Sequence, residues 1–266
     1  MSSLNLGFTQ RIQRPDIYEL NPFVDRSNPS FEDSGNPDLK AVLSNNFQLN
    51  YSRFKKGSIN IGLSYNFASN TIQNITVYNP VTNVTRTNYA NIGKNRSLGT
   101  NFNINYPIIK GLNFNLSGNI NYLFIQGEVN GVLTKNDGVQ GYFYSYASYK
   151  FKNGLRASAN INYSSPYISL QGQGTKYIGS GVSLTRDIVK DKLTFGMYVN
   201  NPFSKYRNYV NTTSGPGFIQ NSNSQNYFRS FSLSMNYRFG KLKEDIKKNK
   251  RSINNDDTAG KSGGNN

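Results

Sequence analysis

The sequence predicts an all-β protein: an antiparallel up-and-down transmembrane β-barrel segment with short turns on one side and long loops on the other. Three observations predict this fold. Apolar and polar residues alternate with a period of two in about ten segments, as in strands whose two faces meet different surroundings. The connections between segments alternate between long and short, as in membrane barrels. Aromatic residues make up 14% of the chain and charged residues only 17%.

The alternation is clearest between Leu112 and Phe124, where apolar residues at even positions oppose Asn and Ser at odd positions. A helix would scatter both sets around its circumference, so this segment is a predicted strand. The same pattern predicts ten strands, in order at 4–12, 46–52, 59–67, 98–106, 112–124, a tyrosine-rich segment ending at 151, 155–163, 182–184, 193–199 and 231–239.

Short turns are predicted at 55–57, 107–111, 152–154 and 187–192, and Asn153-Gly154 is a strong hairpin signal. Long polar connections are predicted at 13–44, about 70–95, 126–140, 165–177 and 201–226. This sequence of lengths places all tight turns on one side of a meander that has about ten strands.

A soluble antiparallel sandwich would also alternate, because it buries one face of each sheet. The apolar face, however, is present on all ten predicted strands, and the opposite face is almost uncharged, unlike a soluble surface. Aromatic residues also collect near strand ends, as membrane interfaces favour, at Tyr106, Tyr142, Tyr144, Tyr149, Phe151, Tyr163, Tyr237 and Phe239.

The chain divides into barrel strands at 1–240, forming a partial barrel, and a basic, mostly disordered tail at 241–266. The formal net charge is +16, but basic residues before the tail are spread thinly. A concentrated phosphate-binding patch is absent from the sequence, so nucleic acid is not an expected partner.

Catalysis and bound cofactors are not predicted. The sequence contains no Cys and no His, which excludes thiolate or imidazole metal ligands and Ser-His nucleophiles. Acidic residues cluster in the first long loop at Asp16, Glu19, Asp25, Glu32 and Asp33, without EF-hand spacing. We therefore expect a solvated loop there, no metal site and no enzyme activity.

Three groups of segments carry a resemblance to a known family: 7–15 with 20–23 and 35–39, 163–172 with 190–193 and 201–203, and the closing 232–240 with its lysine-rich tail. They resemble the C-terminal β-barrel part of a TonB-dependent receptor. The resemblance implies a protein of the bacterial outer membrane that imports a scarce nutrient, is gated by a plug domain and is energised through TonB. It also implies contact with outer-membrane lipid and with the barrel-assembly machinery, and a periplasmic C-terminal tail.

The sequence departs from that family because a signal peptide, a plug and a TonB-contacting segment are missing. The small side chains of the polar face also cannot fill a narrow closed barrel. We therefore expect a fragment whose N-terminal plug and barrel half are missing. The alternatives are a stand-alone structural or adhesin-type outer-membrane barrel without transport, and a soluble basic binding protein.

Two sets of candidate functional residues follow. Contacts to an unknown small ligand are expected from aromatic and arginine side chains of the long loops and upper lumen, at Tyr142, Tyr144, Tyr206, Arg207 and Tyr209. The last strand carries an apolar stripe that ends in two aromatics, made of Phe231, Leu233, Met235, Tyr237 and Phe239. In proteins that this chain resembles, such a strand is the barrel-insertion signal.

Overall fold

A computed structural model describes residues 1–190 and 192–239. Its elements are β1 (Ser2–Gln13), α1 (Ile17–Leu20), β2 (Phe31–Asp33), β3 (Val42–Phe54), β4 (Ser58–Asn79), β5 (Val84–Ile109), β6 (Leu112–Val129), β7 (Val132–Lys150), β8 (Leu155–Ser164), β9 (Ile168–Ser169), β10 (Gly172–Gln173), β11 (Tyr177–Val189), β12 (Leu193–Asn200), β13 (Tyr206–Gly215), β14 (Phe218–Tyr227) and β15 (Ser230–Tyr237). Within these residues, α1 is a single short turn, and no helix has the length and apolar character needed to cross a membrane.

The ten strands predicted from the alternation all lie in one sheet, paired in chain order. The order is β1-β3-β4-β5-β6-β7-β8-β11-β12-β15, and each neighbouring pair is antiparallel. The short strand β2 is an eleventh member that pairs in parallel with β5. The prediction of an antiparallel up-and-down sheet is confirmed.

The sheet has two unpaired edges. Among the described residues, β1 pairs only with β3, and β15 pairs only with β12. The sheet is therefore not closed into a barrel, as expected for part of a larger one.

Cross-strand register keeps the two faces separate over the whole sheet. On the apolar face, Leu49 lies between Leu6 and Leu63. On the polar face, Asn115 lies between Asn105 and Tyr146. Leu6 is 82% exposed and Leu233 is 70% exposed, because the described chain packs nothing over the apolar face. Such a face is stable only against an apolar medium or partner.

Two of the connections predicted to be long polar loops are strands. The segments 70–95 and 126–140 lie mostly in β4 to β7, and the chain reverses at 80–83 and at Asn130-Gly131. Asn130 and Gly131 have φ of 51° and 77°, which is the pair of left-handed conformations of a type I′ hairpin turn. The prediction was wrong because these strand ends carry polar residues on both faces, so the alternation fades while the pairing continues.

A β-bulge explains where the alternation stops in β4. The β4–β5 register shifts between Ser69 and Thr71, and Asn70 has a φ of 56°. Because one extra residue inverts the inside-outside phase, the odd-numbered Thr71 and Gln73 are buried beyond the bulge.

The remaining long connections contain structure of their own. The segment 13–44 holds α1 and β2, 165–177 holds β9 and β10, and 201–226 holds most of β13 and β14. The last strand ends at Tyr237, two residues before the predicted Phe239. The predicted tail at 241–266 lies outside the described residues.

Candidate ligand-binding site

The long-loop end of the polar face is covered by a second sheet, called here the loop sheet, with the order β14-β13-β10-β9. Its two halves come from different connections: β9 and β10 follow β8, whereas β13 and β14 follow β12. Gly172 and Gln173 of β10 join them by pairing with Thr213 and Thr212 of β13.

The side chain of Gln171 fixes the loop sheet to β4. Its Oε1 accepts a hydrogen bond from the Thr76 N–H at 2.7 Å, and its Nε2 donates to the Thr76 carbonyl at 2.9 Å. Pairing between β3 and β4 ends at Ala68, so the Gln171 side-chain amide supplies the backbone of Thr76 with the hydrogen bonds that a neighbouring strand would otherwise make. The Gln171 carbonyl accepts from the Ser214 N–H of β13 at 2.6 Å. These hydrogen bonds couple β4 to β13 through Gln171, which is only 5% exposed.

Strand β7 holds the other side of the loop sheet. Asn136 Nδ2 donates to the carbonyls of Ser169 and Gly172 at 2.7 and 3.0 Å. Gln140 Oε1 accepts from the Ile168 N–H at 3.0 Å. The polar face therefore supplies amide side chains at the positions where the backbone of the loop needs partners.

A small apolar cluster lies beneath these hydrogen bonds. Ile125 and Val129 of β6 pack with Ile168 and Leu170, and all four side chains are buried. Burying each such side chain stabilises the fold by roughly 1.5–3 kcal/mol. Gly127 leaves the necessary space, since a Cβ there would lie 3.1 Å from Leu170 Cδ2. The cover over the polar face is therefore a packed element.

A polar cavity of about 540 Å³ remains between the loop sheet and the polar face. Its polar lining includes Glu19, Gln73, Asn95, Gln140 and Thr213. Gln73 Nε2 donates to Thr71 Oγ1 at 2.8 Å, and Thr71 Oγ1 donates to Asn95 Oδ1 at 2.9 Å. The volume and the converging amides suit a small polar ligand.

Arg207 is the centre of an aromatic cluster outside this cavity, near the start of β13, whereas the β13 residue that lines the cavity is Thr213. The guanidinium carbon of Arg207 lies 3.7 Å from the ring centroids of both Tyr177 and Phe228, within cation–π range. Nη1 donates to the Tyr209 hydroxyl at 2.9 Å. Among the described residues, its other N–H groups have no hydrogen-bond partner, so they are available to an oxygen of a ligand.

The five predicted ligand contacts separate into three groups. Arg207 and Tyr209 contact each other, while Tyr206 packs edge-to-face on Tyr227 with ring centroids 5.7 Å apart. Tyr142 and Tyr144 lie in β7, where register places them on the polar face opposite Asn119 and Ser117. The prediction that grouped these two tyrosines with the aromatic residues of the membrane interface was wrong, because they lie on the polar face.

Sequence reasoning missed Tyr177 and Phe228, the two rings that contact Arg207. Tyr177 pairs with Ser164, which also pairs with Tyr142, so Tyr142 and Tyr177 lie on the same face two strands apart. The single sequence contains no signal for this group, because its members come from β7, β11, β13 and the residue that follows β14.

The acidic residues of the first long loop have local structural partners. Asp16 accepts from the backbone of Tyr18 and Glu19, and Glu19 returns the hydrogen bond, which makes a capping box for α1. The Ser27 hydroxyl and backbone N–H bond Asp25 and lower the pKa of its carboxyl. The hydrogen bond from Arg26, together with Arg86, lowers the pKa of Glu32. Within residues 1–190 and 192–239, no group of three or more His, Cys, Asp or Glu side chains could hold a metal ion.

The predicted insertion signal forms an exposed apolar stripe along the β15 edge. Phe231, Leu233 and Met235 are each at least 70% exposed, and the rings of Tyr237 and Phe239 meet edge-to-face with centroids 4.6 Å apart.

Comparisons with known proteins agree with this architecture. The model of the family described as "Outer membrane protein beta-barrel family" matches residues 1–237. The chain is similar to the ferric enterobactin receptor PfeA of Pseudomonas aeruginosa, with 18% identity, a TM-score of 0.59, and coverage of 89% of this chain and 38% of the receptor. No curated protein sequence matches the chain.

Two further solved structures show the same fold. The siderophore receptor PirA of Pseudomonas aeruginosa matches with 16% identity and a TM-score of 0.57, covering 89% of this chain and 39% of PirA. The copper transporter OprC matches with 11% identity and a TM-score of 0.61, covering 90% of this chain and 37% of OprC. The chain spans less than two fifths of the length of these proteins. The predicted resemblance to the C-terminal barrel part of a TonB-dependent receptor is confirmed for the fold.

Proposed function

The chain belongs to the outer membrane protein β-barrel family, and we propose that it forms part of the wall of a receptor that imports a small ligand by TonB-dependent transport. The observation that carries this proposal is the contrast between the two faces of one sheet. The apolar face is bare and suits lipid, whereas the polar face is covered at one end only, by a loop sheet that encloses a polar cavity. The likeness to two siderophore receptors and a copper transporter supports the same function.

Ligand contacts are assigned to the cavity at the Thr213 end of β13 and to the Arg207 cluster near the start of the same strand. Tyr142 and Tyr144 extend this surface along the polar face, and Tyr177 and Tyr209 surround Arg207. In this proposal the loop sheet faces the outside of the cell, where the ligand arrives. The short turns and the tail at 241–266 face the periplasm, as in other membrane barrels.

The edges of the sheet define the expected partners. Strands of the remaining barrel half pair with the free edges of β1 and β15, and a plug fills the wide lumen and connects the receptor to TonB. The barrel-assembly machinery binds the β15 stripe during insertion. A stand-alone barrel would need β1 to pair with β15, and these strands are unpaired with each other in the described residues. The larger barrel is therefore the better proposal.

The proposal is tested by uptake in cells that depend on the complete receptor. Deleting its gene should slow growth on limiting ferric enterobactin or limiting copper, the two probes chosen from the structural neighbours. On whichever probe shows the defect, Arg207→Ala should lower uptake of the labelled probe about tenfold or more, as loss of a central arginine contact does.

The matched control is Tyr206→Ala, the neighbouring predicted contact that packs on Tyr227 instead of Arg207. Its uptake should stay near that of the wild type. Equal uptake by the deletion strain and the wild type on both probes would contradict transport of these ligands, and equal losses in the two variants would contradict the site.

A further inference from the structure

The short-turn end of the sheet carries a ring of basic residues, called here the basic rim. Among the described residues it contains eleven Lys and Arg residues and one acidic residue, Asp187. The basic residues are Arg53, Lys55, Lys56, Lys110, Lys150, Lys152, Arg156, Arg186, Lys190, Lys192 and Arg238. The rest of the described chain has twelve basic residues and eight acids, at Asp16, Glu19, Asp25, Glu32, Asp33, Asp38, Glu128 and Asp137.

Four members of the basic rim border the apolar face. Register places Arg53 opposite Ile59, and Arg186 opposite both Leu155 and Phe195, all on the apolar face. Lys56 and Lys110 lie in the short turns that follow β3 and β5. All four side chains are exposed.

Aromatic rings lie beside these cations at the end of the apolar face. Lys56 Nζ is 5.9 Å from the ring centroid of Tyr106, and Phe151 and Tyr237 are exposed at the same end of the sheet. Both ion pairs in the described part of the chain, Arg26–Glu32 and Arg86–Glu32, are at the other end. The four cations therefore have no carboxylate partner among the described residues.

We propose that the basic rim binds the phosphate groups of anionic phospholipids through Arg53, Lys56, Lys110 and Arg186. This inference rests on the membrane-embedded sheet of the proposed function. At the end of an apolar band, amphipathic rings lie at headgroup depth, and cations beside them meet lipid phosphates. An acidic protein partner would fit the polar face better, where Arg156, Lys192 and Arg238 line a separate cavity of about 430 Å³ with Asp187.

The test is native mass spectrometry of the complete protein, released from detergent in the presence of phosphatidylglycerol, phosphatidylcholine or inorganic phosphate. The rim variant combines R53Q, K56Q, K110Q and R186Q. The matched control combines K40Q, K135Q, K176Q and K205Q, which removes the same charge from exposed lysines at the other end. Wild type and control should retain phosphatidylglycerol in preference to phosphatidylcholine. The rim variant should lose that preference by about fivefold or more, since one cation near an anionic surface contributes about that factor.

The inference is overturned if the rim variant keeps its preference, if the control loses it equally, or if inorganic phosphate displaces the lipid. Unchanged lipid retention in the rim variant, together with loss of a crosslinked acidic protein, would assign the surface to a protein partner instead. Heat-dependent gel mobility checks folding, and separate R53Q and R186Q variants replace the combined one if it does not fold. Ligand uptake by the rim variant should be unchanged, so a loss of uptake with intact lipid preference bears only on the proposed function.

Discussion

Placing an arginine on each face of β6 tests which face meets lipid. The apolar alternation runs from Leu112 to Phe124, and its middle falls at Gly118. A membrane strand needs about 9–11 residues to cross, so Leu116 lies about two residues from the midplane of the bilayer. Its register partner is Ile104, and Phe102, Ile120 and Phe143 line the same apolar depression. Leu116→Arg should therefore incur nearly the full midplane penalty, about 2–4 kcal/mol.

That penalty lowers the folding equilibrium constant by a factor of about 30 to 900. Asn115→Arg is the matched control, since Asn115 lies one residue away on the polar face between Asn105 and Tyr146. Its cost should be below about 1 kcal/mol, because an arginine there reaches water. The free energies come from urea titration of the complete protein folding into lipid vesicles, monitored by gel mobility of unheated samples. Equal penalties for the two variants would refute the assignment of the faces.

Three further predictions concern single residues. Phe239→Asp in the complete receptor should sharply lower the fraction of receptor that is folded in the outer membrane, whereas deleting 241–266 should leave that fraction nearly unchanged. The measurement is the gel mobility of unboiled against boiled membrane samples. The reverse result would mean that the insertion signal lies elsewhere. Gln171→Ala leaves the buried Thr76 N–H and carbonyl unpaired, which should destabilise docking of the loop sheet by about 1–3 kcal/mol. Hydrogen exchange at the Thr76 amide should therefore be faster, and unchanged exchange would show that Gln171 does not hold the loop sheet in place. The pKa of Glu32 is lowered below its ordinary value of 4.5, so its pairing with Arg26 and Arg86 is complete above that value and is lost as the pH falls through the lowered pKa. Proteolysis of the loop around Glu32 should therefore increase on acidification in the wild type. In Glu32→Gln it should not depend on pH.

The sheet was predictable from sequence because lipid and lumen impose a strict period of two. Every strand that crosses the apolar band, such as the segment from Leu112 to Phe124, has that period, and all ten were found. The extension of β4 to β7 beyond the band was not predicted, because polar residues there occupy both faces. The bulge at Asn70 also inverted the phase of β4.

The candidate site was only partly predictable. Arg207 and Tyr209 were selected as an arginine and an aromatic residue of the connection predicted at 201–226, and they contact each other because they lie two residues apart in β13. Phe228 reaches Arg207 because its N–H donates to the Lys205 carbonyl where β14 returns to the start of β13. Tyr177 reaches it from a separate connection, which Thr175 Oγ1 joins to β13 by donating to the Val210 carbonyl. Such contacts depend on tertiary structure, and a local sequence period carries no information about them.

The most direct test of the account is labelling of single cysteines, since the chain has no cysteine of its own. Cysteines are placed one at a time from 112 to 122 in the complete receptor, after any cysteine outside this chain has been replaced, and a water-soluble maleimide is added to isolated outer membranes. Cysteines at 113, 115, 117, 119 and 121 should be labelled, and those at the even positions should be protected. In intact cells, a cysteine at Gly217 in the β13–β14 turn should react, and one at Asn153 should react only after the outer membrane is permeabilised. Uniform labelling along β6, or reaction at Asn153 before Gly217, would contradict a sheet that crosses the outer membrane with its loop sheet outside.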